Sequence, residues 1–189
     1  MPIRVIAGSA RGMKLKQVPK NSTRPIMDRA KEALFSIIGD DILDARFLDL
    51  FGGTGSVGIE ALSRGADCAV FVELSRSAIR VIRDNLKHTR LDARASILHR
   101  SAFDILVQPP TQHYHFIYVA PPQYQGMWTA TLEALDSNSH WHHADTTVIV
   151  QIAPREYDAA KTFKHLIEYK QRKYGRTLLL FYRFAASQI

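Results

Sequence analysis

Cysteine is nearly missing from this chain of 189 residues: Cys68 is the only one, so no internal disulfide can form and a reducing, cytoplasmic setting is expected. Within Cys68-Ala69-Val70-Phe71-Val72 it reads as a small buried hydrophobe rather than a nucleophile. Long apolar runs are missing too. Val148–Val150 and Leu178–Phe181 are far shorter than a bilayer requires, and the opening MPIRVIAGSARGMK has no signal-like apolar stretch, so no membrane partner is expected. Internal repeats and low-complexity tracts are absent. What remains is ordinary for a soluble globular domain: 46% hydrophobic and 23% charged residues, at a length able to bury a substantial core.

Acidic charge is scarce in one place. Residues 1–35 hold eight basic side chains (Arg4, Arg11, Lys14, Lys16, Lys20, Arg24, Arg29, Lys31) against Asp28 and Glu32, a net +6 out of +7 for the whole chain. Positive charge segregated in this way suits a phosphate backbone, and equally suits a solubilising arm.

The opening residues read as a hairpin: IRVIAG and MKLKQV are strand-like, and Gly8 to Gly12 supply turn residues. Alternation places Lys14 and Lys16 on one face and Leu15 on the other. Pro25 suits the first turn of a helix whose apolar positions are Ile26, Ala30, Ala33, Leu34 and Ile37, ended by Gly39. The chain is expected to divide into a basic hairpin extension over 1–24 and a main domain over 25–189. In the latter, strands and helices alternate. Strands are predicted at 47–51, 68–72, 94–98, 116–119 and 147–152, with helices at 57–63, 75–88, 102–107 and 127–135. Strands at 166–170 and 177–184 then follow with only a turn between them. Such alternation predicts an α/β fold with a mostly parallel sheet and an antiparallel last strand.

A sheet of this kind binds ligands at the carboxyl ends of its strands. The loop after the first long strand reads Asp49-Leu50-Phe51-Gly52-Gly53-Thr54-Gly55-Ser56-Val57-Gly58. Gly53 to Gly58 match a dinucleotide fingerprint, which keeps a nicotinamide cofactor open. Asp49 argues against it, because a diphosphate needs positive potential at that turn. S-adenosylmethionine has no phosphate and carries a sulfonium and an ammonium, which a carboxylate attracts while glycines permit close backbone approach. Glu73, after the second long strand, is placed to accept hydrogen bonds from ribose hydroxyls. Ser101 and Ala102, after the third, are placed for the adenine edge. The candidate cofactor residues are thus Asp49, Phe51, Gly53, Gly55, Glu73, Ser101 and Ala102.

The segments RVIAGSARGMKL, STRPIMDRAKEALFSIIG, FLDLFGGTGSVGIEALSRGA, VFVE, APPQYQGMW and KYGRTLLLFY follow one another over nearly the whole chain. Together they resemble the RsmD family, methyltransferases that modify guanine N2 in small-subunit ribosomal RNA. The resemblance implies a Rossmann-like, seven-stranded class I methyltransferase sheet with an N-terminal hairpin, S-adenosylmethionine as methyl donor, and ribosomal RNA or a small-subunit particle as partner of a monomeric enzyme. It also implies catalytic positions at Ala120, Pro121, Pro122 and Tyr124. Two positions depart from the family pattern. Ala120 stands where Asp is usual, leaving the Pro121 carbonyl to orient the target amino group, and Ser101 also stands where Asp is usual. Tyr124 and Trp128 are candidates to stack on an extruded base. Arg4, Arg11, Lys14, Lys16, Arg24 and Arg29 form the expected RNA-binding face. His113, His115, His140, His142 and His143 lack metal-ligand spacing and no metal is expected. A pseudoenzyme that binds RNA without turnover and a DNA amino-methyltransferase remain as alternatives.

Overall fold

The computed structural model describes residues 3–18 and 26–185. Arg24, the Pro25 helix start and the polar break at 19–23 lie outside the described residues. The opening hairpin forms as β1 (Ile3–Arg4) and β2 (Lys14–Leu15), with only two antiparallel residue pairs. Leu15 is buried while Lys14 and Lys16 are exposed, as the alternation requires.

Helix α1 (Asp28–Ile38) ends at Gly39, whose φ of 62° breaks the helical path. Its buried face is Ala30, Lys31, Leu34, Phe35 and Ile38, so the expected stripe is rotated and Ala33 and Ile37 are only half-buried. The cause is Lys31. Counted in the sequence only as one of eight cations in the first 35 residues, it is fully buried and ion-paired at 3.3 Å with Glu60, itself fully buried.

From there β3 (Arg46–Asp49), α2 (Ser56–Ser63), β4 (Cys68–Val72), α3 (Arg76–Thr89), β5 (Ala95–Leu98), α4 (Ala102–Leu106), β6 (Phe116–Val119), α5 (Met127–Ser137) and β7 (Thr147–Ile152) alternate as predicted. Strands β8 (Leu166–Tyr174) and β9 (Thr177–Phe184) close the described chain. Strand β8 runs four residues further than its composition suggests, because apolar β9 holds Gln171 to Tyr174 in register and only Gly175-Arg176 remain as the turn.

The seven-stranded sheet has the order β5-β4-β3-β6-β7-β9-β8, with β9 antiparallel to both its neighbours. On one face Phe47, Phe71, Phe116, Tyr118 and Phe181 pack against α1, α2 and α3, and Ile3, Val5 and Leu15 of the hairpin join that core. On the other, Leu48, Val70, Ile117, Val148 and Leu180 meet α4 and α5. Strand order reverses between β3 and β6, which opens a crevice at their carboxyl ends.

Candidate active site

Asp49 is the last residue of β3, beside Tyr118 of β6, and is 2% exposed. Burial pushes its carboxyl up to about 7. The Phe51 N–H, which it accepts at 3.3 Å, opposes that rise, and the charge of Glu73 adds to it. Burial, reinforced by Asp49, also holds the Tyr118 phenol well above its ordinary value. A cation placed beside the Asp49 carboxyl would favour its ionised form.

The turn then tightens. The Gly52 N–H donates to Val72 O (2.9 Å) and the Gly55 N–H to Gly52 O (2.7 Å). Gly53 and Gly55 take φ values of 53° and 76°, and a Cβ on Gly55 would press on Ile59 and Ile82 at 3.2–3.4 Å. Glu73, half-buried just past β4, braces this loop: its Oε2 accepts from the Gly53 N–H (2.8 Å) and its Oε1 from the Ser75 N–H (2.7 Å). A carboxylate has about four acceptor directions, so two remain for a diol. Ser101 is used differently from expectation. Its Oγ accepts from the Phe103 N–H at 3.2 Å and caps α4, while Ala102 is buried behind it. Phe51 is half-buried against the α4–α5 core.

On the neighbouring strand the chain leaves β6 through Ala120, half-buried, Pro121, buried, and Pro122, exposed. Tyr124 is 67% exposed in a left-handed backbone conformation, φ 61°, which for a bulky residue stores strain. Its N–H donates to Glu156 Oε1 (2.7 Å), and Glu156 Oε2 accepts from the Ala153 N–H (3.0 Å). Glu156 thus ties the loop after β6 to the end of β7, a role with no signal in the sequence. Trp128 does not belong to the site: it is 3% exposed in the α5 core, so only Tyr124 is available to stack on a base.

The hairpin's expected phosphate contacts are divided. Arg4 pairs with Asp28 and Lys16 with Asp84, both at the surface, while Arg11, Lys14 and Arg29 are exposed. Two buried polar bridges join the hairpin to the cofactor loop. Lys31 Nζ donates to Arg4 O (2.6 Å) and to Ser56 Oγ (3.0 Å). Asn85, on α3, accepts from the Lys16 N–H (2.7 Å) and donates to Lys16 O (3.1 Å) and Thr54 O (2.9 Å).

The histidines gather more closely than their spacing suggests. His113 and His115 face Asp145 at 3.0 and 3.9 Å through Nε2, and His143 stacks on His113 at 3.8 Å. They lie at the amino ends of β3, β6 and β7, the side of the sheet away from Asp49. The Arg46 N–H donates to His115 Nδ1 and its guanidinium to His113 Nδ1, each at 3.0 Å. Both imidazoles therefore carry their proton on Nε2 and offer N–H rather than a lone pair to the space between them. Burial lowers the pKa of His113, against the pull of Asp145.

A sheet of this order with an acidic residue closing each of β3 and β4, and no lysine or arginine in residues 49–58, defines a Rossmann-like, S-adenosylmethionine-dependent methyltransferase. The donor set fits that cofactor: carboxylates for a cationic centre and a diol, with no basic side chain in the loop itself to meet a diphosphate. The family described as conserved hypothetical protein 95 matches residues 3–183. The chain is 34% identical over 183 residues to the Bacillus subtilis protein YlbH, covering 96% of this chain and 98% of that one. It is 34% identical over 149 residues to ribosomal RNA small subunit methyltransferase D of Escherichia coli K12, covering 79% and 74%. The solved structure of the Escherichia coli methyltransferase yhhF superimposes with a TM-score of 0.85 at 29% identity, over 99% of this chain and 100% of that one. The chain belongs to this family, the RsmD family of methyltransferases.

Proposed function

We propose that this protein transfers a methyl group from S-adenosylmethionine to the N2 amino group of a guanine in small-subunit ribosomal RNA, acting in the cytoplasm as a monomer. The observation that carries the reading is positional. The Asp49 turn and the Ala120-Pro121-Pro122 loop leave adjacent parallel strands at one edge, in a chain 34% identical to a small-subunit ribosomal RNA methyltransferase.

When bound, the cofactor supplies an electrophilic methyl group on a sulfonium. Asp49, Glu73 and the loop through Gly53 and Gly55 hold its charged and ribose parts, and Ala102 lines the adenine side beside Ser101. Pro121 offers its carbonyl to one N–H of the target amine, turning the nitrogen lone pair outward. Ala120 has no acceptor to offer the second N–H. Tyr124, exposed and fixed by Glu156, presents a ring on which an extruded guanine stacks. Arg11, Lys14 and Arg29, with Arg24 near them in sequence, bind phosphates and set the register of the RNA.

The test is transfer of labelled methyl groups to unmodified small-subunit ribosomal RNA and to particles assembled from it, followed by mapping of the labelled base. Label in one guanine, released as N2-methylguanine, is expected. Binding of both cofactor and RNA with no transfer would instead favour a pseudoenzyme, the reading that Ala120 supports. Ala120→Asp should raise turnover, by as much as roughly 10²–10³ if the restored acceptor acts like one preorganised oxyanion-hole donor.

A further inference from the structure

The net charge of +1 over residues 36–189 conceals a local concentration. Between Leu166 and Arg176 the chain carries Lys170, Arg172, Lys173 and Arg176 against one acid, Glu168. Glu168 is occupied elsewhere, accepting from the Tyr157 hydroxyl (3.1 Å) and the Tyr182 hydroxyl (3.2 Å). Among the described residues none of the four cations has a carboxylate within ion-pairing distance, whereas Arg4 and Lys16 of the first hairpin do. Arg172, Lys173 and Arg176 are exposed, and among the described residues their side chains make one hydrogen bond, from Arg172 Nη1 to the neighbouring Gln171 O.

The register fixes where they point along the sheet. Val119, the last residue of β6, lies in one row with Val150, Leu180 and Gln171. Ile152, Leu178 and Lys173 form a row further out. Arg172, Lys173 and Arg176 therefore stand beyond the row that contains Val119, at the carboxyl-end edge from which Ala120-Pro121-Pro122 departs. The turn also meets the start of α1: a Cβ built on Gly175 would lie 3.8 Å from Met27 Cε. Exposed Arg29 is two residues from Met27. The turn thus approaches the start of α1, the helix that carries Arg29.

We infer that Arg172, Lys173 and Arg176, on the β8–β9 turn, form a second phosphate-binding surface for the substrate RNA. It receives backbone on the flank of the active site, beside the start of α1. The proposal rests on the RNA-methylating reading and deepens it. Unpaired exposed cations lose little solvation and gain counterion release on meeting phosphates, at a slope of roughly −0.7 in log K against log salt for each contact with single-stranded RNA.

The experiment compares wild type with R172Q/K173Q/R176Q and with the control K164Q/R183Q, whose positions, one just before β8 and one near the end of β9, lie at the opposite end of the hairpin. Thermal unfolding first establishes that each is folded. Fluorescence anisotropy then measures affinity for an unmodified small-subunit ribosomal RNA transcript across a salt series, and labelled-methyl transfer supplies KM and kcat. The triple variant should bind on the order of 10- to 100-fold more weakly, with a salt slope reduced by about 2. KM for RNA should rise alongside while kcat and cofactor affinity hold, and the control should match wild type. Unchanged affinity and salt slope in the triple variant overturn the surface while leaving the methylation reading intact, as does a loss confined to kcat. A wild type that binds the transcript but methylates nothing removes the enzymatic reading, and the anisotropy series then decides the surface alone. A wild type that does not bind the transcript overturns both.

Discussion

The two hairpins carry similar charge and are held by opposite means. Strands β1 and β2 share two residue pairs, too few to stabilise a ladder in water. That hairpin is ordered by side chains of the main domain. Glu60 accepts from the Ile6 and Ala7 N–H groups (2.8 and 3.0 Å), and Ser63 Oγ donates to Ala7 O and accepts from the Ala10 N–H. At Gly8 the chains are so close that a Cβ would sit 1.8 Å from Ser63 O. Strands β8 and β9, in contrast, pair over eight residues within the main sheet, and the cations at their turn, Arg172, Lys173 and Arg176, have no ion pair among the described residues. Loss of the first hairpin's anchors should cost stability; loss of the turn cations of the second should cost RNA affinity alone.

The strongest way to break this contrast is Glu60→Ala. It strands the buried Lys31 ammonium and removes the acceptor for two backbone N–H groups and for Arg64. A loss of about 3–5 kcal/mol in urea unfolding is expected, as for removal of one partner of a buried pair. A loss below 1 kcal/mol would mean that the hairpin is not anchored there. Asn85→Ala comes next, at about 1–3 kcal/mol for the buried groups it leaves unpaired. It should also weaken cofactor binding by calorimetry, because Thr54 O loses its partner in the loop.

The Asp49 carboxyl gives a smaller, graded effect whose sign is fixed by its shift. Folded, it titrates at about 7 against an ordinary 3.8, so between those values the native chain holds a proton that the unfolded chain has released. Its stabilising contribution is complete below about pH 4 and declines by up to about 1.4 kcal/mol per pH unit towards 7. Asp49→Asn should flatten that decline in unfolding curves taken at several pH values. Cofactor binding to the wild type should strengthen over the same interval and release a proton, visible as calorimetric heats that vary with buffer. Smallest of all, Arg4→Ala and Lys16→Ala remove exposed, solvent-screened ion pairs and should leave the urea midpoint almost unmoved.

Periodicity made most of the scaffold legible. Strands 68–72, 116–119 and 147–152 and the buried side of α3 follow directly from local apolar spacing. The Asp49 and Glu73 positions were legible because the site of such folds lies where strands end. Side chains whose role depends on a distant partner were not. Lys31 looks like any solvated helical lysine until Glu60, far along the chain, is brought beneath it. Glu156 and Asn85 carry no motif, and both act by accepting backbone N–H groups of loops remote in sequence. Averaging charge over residues 36–189 erased the turn at 172–176, since acids elsewhere cancelled it.

The side-chain anchoring of the opening hairpin has a consequence for the order of assembly. Its partners on α2 lie 53 and 54 residues downstream, and Asn85 lies 69 residues beyond Lys16. When the chain is made from its amino end, the hairpin therefore has no Glu60 or Ser63 to dock on until α2 has emerged, and no Asn85 until α3 has. Its closure is a long-range step, expected to follow these helices rather than precede them.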